Sequence, residues 1–216
     1  MVDNIDTIRI SDFIMSLVSE NDNDIINLKN QALANNVPII RDETKQFLRM
    51  LLNIYKPNQI LEIGTAVAYS TLVMHRTCKD AQIVTVENYK KRIEEAKKNI
   101  DTYFDKDKIK LIESDAGEYL KNIKDIEFDF IFLDAAKGQY INWITDIKRL
   151  LHKGSILVSD NIFKDGEVIE SKFLIKKRDR TIHKRMREFL NYISKDKDFE
   201  TYIFNIGDGI SVSIKK

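Results

Sequence analysis

The stretch FIFLDAAKGQY, residues 130–140, reads as a buried strand that ends in Asp134 and is followed, three residues later, by Lys137. A strand-end carboxylate with an amine about one helical turn further on suits a cation ligand followed by a base. An ammonium beside a divalent cation is disfavoured, so the Lys137 pKa is expected to fall until its amine takes a proton from a hydroxyl. Taken singly, Asp134 could be a helix cap and Lys137 an ordinary surface lysine. Asp160 and Asn161 close a second apolar run, ILVSDN. With Asp134 they offer the hard oxygens that Mg2+ takes: one or two carboxylates, with positions left for water or substrate. One cysteine, Cys78, and three scattered histidines, His75, His152 and His183, argue against a zinc site.

These acids have company. Apolar runs along the chain end in Glu62-Ile63-Gly64, Glu87, Ser114-Asp115, Asp134 and Asp160-Asn161. In open parallel sheets ligands bind outside the carboxyl ends of the strands, at the switch point. In LEIGTAVAYS, residues 61–70, Gly64 lets the backbone pass close to a ligand and Ser70 offers a hydroxyl near the following helix start. The turn has one glycine rather than the three of a dinucleotide fingerprint, so it suits a nucleoside better than a pyrophosphate. Glu87 is placed to accept from both ribose hydroxyls and Asp115 from the exocyclic amine of adenine. Together they describe an adenosine site.

The elements that must carry these residues alternate. Strands are predicted at 59–63, 82–87, 108–113, 128–134 and 155–160, with helices at 68–77, 88–104, 116–123 and 140–151 between them. A helix at about 181–195 follows, then strands 201–206 and 209–214 joined by Gly207-Asp208-Gly209, a hairpin signal. Before the first strand the periodicity is helical: Ile14, Leu17 and Val18 share one face, and so do Phe47, Leu48, Leu51 and Leu52. The expectation is a doubly wound, Rossmann-like α/β fold: a mostly parallel seven-stranded sheet with a C-terminal antiparallel hairpin and N-terminal helices. No linker or repeat divides the chain, which reads as a single domain over 1–216, a helical cover (1–55) on a core (56–216).

The composition, 43% hydrophobic and 32% charged, is that of a folded domain rather than a disordered one. No apolar run approaches the ~20 residues of a membrane span. The mixed, acidic start MVDNIDTIRI does not read as a secretory leader, and a single cysteine fits a reducing cytoplasm. Net charge is only +1, yet residues 172–187, KFLIKKRDRTIHKRMR, hold eight basic residues and one acid. Such a patch calls for an anionic partner.

PIIRDETKQFL, LEIGTAVAYS, VTVE, ESDAGEYL, FIFLDAAKGQY, ILVSDN and IGDGISVS stand in order over about residues 38–214. In these the chain resembles the cation-dependent O-methyltransferases that use S-adenosylmethionine, the group of catechol and caffeoyl-CoA O-methyltransferases. The resemblance implies a class I methyltransferase fold. It implies that Ile40, Glu62, Gly64 and Ser70 hold the methionine end of the cofactor, Glu87 the ribose, and Asp115 with Ala116 the adenine. It also implies Mg2+ on Asp134, Asp160 and Asn161, with Lys137 as the base. Asp134 is expected at the cofactor as well. Ala68 stands where family members usually carry glycine, so its methyl is expected near the cofactor. Ala135 and Ala136, where catechol enzymes are bulky, leave room for a larger acceptor.

The tail SKFLIKKRDRTIHKRMREFLNYI is similar to that of the bacterial tRNA 5-hydroxyuridine O-methyltransferases, which act at the wobble position of the anticodon loop. On a helix at 181–195, Ile182, Met186, Phe189, Leu190 and Ile193 make a core stripe. Lys176, Lys177, Arg178, Arg180, Lys184 and Arg185 are expected to meet RNA phosphates. The alternative acceptor is a small catechol or phenol. Family members are often homodimers, and residues 1–35 are the expected contact.

Overall fold

The computed structural model describes residues 7–124 and 126–216. Seven strands form one sheet: β1 (Gln59–Ile63), β2 (Gln82–Glu87), β3 (Ile109–Glu113), β4 (Phe128–Leu133), β5 (Leu151–Asp160), β6 (Phe199–Phe204) and β7 (Ile210–Lys215). Their order is β3-β2-β1-β4-β5-β7-β6. The first five are parallel, and β7 and β6 join antiparallel at the end. The order in which successive strands are added reverses between β1 and β4, which places a crevice at their carboxyl ends.

Among the described residues eight α-helices pack on the sheet or on one another: α1 (Thr7–Ser16), α2 (Asn23–Ala34), α3 (Asp42–Tyr55), α4 (Tyr69–Thr77), α5 (Lys90–Tyr103), α6 (Ala116–Asn122), α7 (Tyr140–Arg149) and α8 (Arg180–Lys195). The strands alternate sides, as their two-residue period requires. Ile60, Ile83, Phe130, Phe132 and Val158 pack one way, against Leu28, Leu48, Leu52 and Leu72 of α2, α3 and α4. Leu61, Ile63, Ile131, Leu133 and Leu157 pack the other way, against Ile144 and Ile147 of α7 and Met186 and Phe189 of α8. Both faces of the central strands are buried, which is why β4 is a continuous apolar run.

Three expectations are corrected. β5 begins at Leu151 rather than residue 155, because Leu151 pairs with Phe128 ahead of a register shift between Phe128 and Phe130. The face of α8 that is buried runs through His183, Met186, Phe189 and Ile193, while Ile182 and Leu190 are half-buried. His183 fits inside because its Nε2 meets the Glu170 carbonyl at 3.0 Å. The stripe of Ile14, Leu17 and Val18 does not enter the core. α1 turns Ser11 and Met15 toward Glu43 and Gln46 of α3, leaving Ile10, Phe13, Ile14, Leu17 and Val18 exposed. Residues 1–6 of the expected contact region lie outside the described residues. Among those described, no helix is long and apolar enough to cross a membrane.

Candidate active site

At the carboxyl ends of β1, β2, β3 and β4 lies a cavity of about 820 Å³. Its walls include Ile40, Gly64, Ser70, Glu87, Asp115, Ala116, Asp134, Lys137 and Asn161. The structure therefore gathers most of the predicted residues from seven separate segments. Glu62 and Asp160 do not line the cavity; both are fully buried behind its wall.

Gly64 is the point where two halves of the site touch. Its φ of +106° is a backbone state that side chains rarely adopt, and a Cβ there would fall 2.0 Å from the Asp134 carbonyl oxygen. The β1 turn and the end of β4 thus meet without a side chain between them. Ala68 also has positive φ, at the N-cap of α4, but its methyl packs with Ala96 and Ile100 of α5. The expected methyl near the cofactor is absent from the cavity wall, and the cost of alanine here is local backbone strain.

Glu62 acts through hydroxyls. Its carboxylate accepts from Ser70, Thr71 and Thr85. Burial pushes its pKa up to about 7, against the lowering effect of those three donors. Only Ser70 of that group reaches the cavity, so Glu62 fixes Ser70 rather than touching a ligand. Glu87 accepts from the backbone N–H of Ala66 at 2.9 Å with one oxygen, and from Asn88 and Tyr89 with the other. Asp115 caps α6 through Gly117 and Glu118, and it also lines the cavity.

The acceptor end is built from β4, β5 and the loops after them. Lys137 Nζ donates to Asp134 Oδ1 at 2.5 Å and to Tyr140 Oη at 3.1 Å. Tyr140, buried at the start of α7, donates to the Leu133 carbonyl at 3.0 Å. Burial raises the Tyr140 hydroxyl to about 12, so it stays protonated and serves as a fixed post for the lysine. The expected fall of the Lys137 pKa is not found with Asp134 as its partner. Burial alone would lower it, but Tyr140 and Asp134 outweigh burial and the net shift is upward.

Asp160 Oδ1 accepts from the Asn161 backbone N–H at 2.8 Å and from Thr44 Oγ1 at 3.4 Å. Its Oδ2 is buried without a hydrogen-bond partner. Burial first, and the charge of Asp134 second, push the Asp160 carboxyl up to about 7. A buried, unpartnered carboxylate oxygen beside a second carboxylate and an amide is what a hard cation would complete, so the donor set fits Mg2+. Among the described residues no group of three or more His, Cys, Asp or Glu side chains stands so that it could hold a metal ion.

Arg41, Lys164, Asp165 and Asp208 are charged wall residues with no role expected from the sequence. Asn161, Lys164 and Asp165 all have positive φ, in a tight turn after β5. Asp208, buried in the β6–β7 loop, accepts the Asp165 N–H at 2.8 Å. Arg41 crosses the cavity mouth to Asp165 at 2.9 Å, and Lys164 pairs with Asp179 at the N-cap of α8 at 3.3 Å. IGDGISVS carried the signal for Asp208, but a hairpin turn and a clamp look alike in sequence. Of the basic residues, Arg180, Lys184 and Arg185 line grooves along α8, and Arg185 donates to the Gly138 carbonyl at 3.2 Å. Lys176, Lys177 and Arg178 are exposed in the turn before that helix.

Comparison with known proteins identifies the family. A family model described as O-methyltransferase matches residues 17–216, and the chain belongs to that family of S-adenosylmethionine-dependent enzymes. It is 29% identical over 164 residues to a catechol O-methyltransferase of Niastella koreensis, covering 73% of this chain and 74% of that one. It is 31% identical over 173 residues to a caffeoyl-CoA O-methyltransferase of Populus kitakamiensis, covering 77% and 74%. A solved structure of a candidate caffeoyl-CoA O-methyltransferase from Staphylococcus aureus superposes with a TM-score of 0.88 at 29% identity, covering 95% of this chain and 98% of that one.

Proposed function

We propose that the chain methylates a hydroxyl that stands beside a second oxygen, with Mg2+ held by Asp134, Asp160 and Asn161. The observation that carries this reading is the unpartnered Asp160 Oδ2 next to the Asp134–Lys137 pair. A cation bound there supplies the positive charge that lowers the pKa of the acceptor hydroxyl. Lys137 is the base, oriented by Tyr140, and takes the hydroxyl proton on Nζ. The walls around Gly64, Ser70, Glu87 and Asp115 bind the donor, so that holding two reactants in line contributes much of the rate.

Two acceptors carry the required oxygen pair. Small catechols and related phenolics are favoured by the names of the relatives. 5-Hydroxyuridine at the wobble position of tRNA presents its 5-hydroxyl beside the O4 carbonyl. It is favoured by the basic run 172–187 and by Arg185, which ties that run to Gly138 next to the base. Labelled S-adenosylmethionine, offered with a simple catechol and with bulk bacterial tRNA, with and without chelator, tests both. Chelator-sensitive label in either acceptor supports the chemistry and selects the substrate. Undiminished transfer in chelator refutes the metal. Incorporation into neither acceptor refutes the oxygen-pair reading.

A homodimer belongs to the same proposal. The outward apolar stripe of α1 lies beside α3, and Phe47 of α3 meets Phe204 of the edge strand β6 with ring centroids 5.3 Å apart. Met50, Ile54 and Phe204 extend that exposed surface. An apolar face of this extent, bounded by an open strand edge, suits a second copy of the chain.

A further inference from the structure

α8 has a second groove, on a side not used by the cavity. It is about 700 Å³ in volume and lies between α8 and the loop at 170–173. Lys172, Arg180, Lys184 and Arg187 line it together with Phe173. The loop is pinned from α8: the His183 ring nitrogen meets the Glu170 carbonyl at 3.0 Å, Arg187 donates to the Val168 carbonyl at 3.0 Å, and Arg180 to the Ile175 carbonyl at 3.1 Å. A loop so held has a fixed shape, yet it turns Phe173 outward, 77% exposed, with Lys172 Nζ 5.2 Å from the ring centroid. Two acids, Glu170 and Glu188, also line the groove. Glu188 reaches Lys184 only at 3.7 Å and both are exposed, a pair that an incoming anion exchanges at little cost.

The groove is joined to the acceptor end of the cavity. Arg180 and Lys184 also line the neighbouring shallow groove with Arg185, and Arg185 holds the carbonyl of Gly138, next to Lys137. Cations, with Glu188 among them, therefore lead from the base to the groove, over about 10 Å from Arg180 to Arg187 at the ~1.5 Å rise of a helix. A basic track with an outward aromatic ring is the pattern that holds single-stranded nucleic acid, phosphates on the cations and a base on the ring. An enzyme that draws one nucleotide into its pocket must also hold the neighbours of that nucleotide.

We propose that this groove binds the strand flanking the target nucleotide of an RNA acceptor, with Phe173 as the platform for an unpaired base and Lys172 and Lys184 on its phosphates. The proposal rests on the tRNA reading of the acceptor and assigns that reading a place on the surface.

The test is fluorescence anisotropy of a labelled anticodon stem-loop RNA with the full chain, across a range of salt concentrations. Lys172→Glu combined with Lys184→Glu is expected to weaken binding at least tenfold and to reduce the salt slope by roughly two. Phe173→Ala is expected to weaken binding about 5- to 100-fold at an unchanged salt slope. Neither substitution touches a hydrogen bond that pins the loop, and a wild-type melting temperature confirms folding. RNA affinity that ignores both variants, or no affinity in the wild type, overturns the proposal. Coenzyme A displacing the RNA at equal concentration also overturns it, by showing a site for free nucleotide phosphates. Binding does not require methyl transfer. Groove-dependent affinity without methylation would therefore leave this site standing while refuting tRNA as the substrate.

Discussion

Lys137 donates to Asp134 at 2.5 Å across one turn of chain, so the proposed base sits on the carboxylate proposed to hold the metal. With Tyr140, Asp134 holds the Lys137 amine in its protonated form. A cation on Asp134 would remove part of the attraction that, with Tyr140, now raises the Lys137 pKa. Lys137→Ala is expected to cut methyl transfer by about 10²–10⁴-fold, the usual worth of a positioned base. Calorimetric titration with S-adenosylhomocysteine should give near-native affinity. Loss of that affinity would make Lys137 a cofactor residue instead.

Glu62 gives the protein a pH dependence that is independent of catalysis. The folded chain keeps a proton on Glu62 up to about pH 7, whereas an unperturbed carboxyl releases it near 4.5. Between those values the native state binds more protons than the unfolded state, so stability falls as pH rises, by at most about 3 kcal/mol. Glu62→Gln removes the titration. Melting curves from pH 5 to pH 8 should therefore decline less in the variant than in the wild type, by several degrees. Parallel curves would refute the assignment.

Gly64→Ala should be among the most damaging small substitutions. The added methyl meets the Asp134 carbonyl at 2.0 Å, and φ is +106°. A drop in melting temperature with loss of cofactor binding is expected, and a native-like variant would mean that the two loops separate freely.

Asp208→Ala releases the turn that carries Asn161, because Asp208 accepts the Asp165 N–H within that turn. The Mg2+ concentration for half-maximal activity should rise about tenfold, a typical effect of losing a group that supports a ligand. An unchanged metal requirement would show that the turn holds its shape unaided.

Phe13→Glu with Leu17→Glu should convert a dimer to a monomer in sedimentation velocity, since these residues, on α1 and just past its end, are 64% and 69% exposed. A wild type that sediments as a monomer at all concentrations would refute the dimer.

Most of the sheet was legible because buried parallel strands write themselves as apolar runs, as FIFL does in β4. The rim acids were legible because each ends such a run. What the sequence hid depends on orientation. α1 has a helical apolar stripe, but periodicity does not say whether that stripe faces inward. Glu62 sits one strand residue away from the face the cavity uses, so its role passes to Ser70. Tyr140 reads as the first residue of a helix. Only its packing under Leu133 and beside Lys137 makes it part of the site.

The contact between Gly64 and Asp134 is backbone against backbone. Side chains rotate and loops breathe, but a peptide resting on a peptide has no such play. With donor and acceptor placed as proposed, the gap that the methyl group must cross would be gauged by the framework of the sheet. Warming the protein should blur the mouth around Arg41 long before it disturbs that spacing.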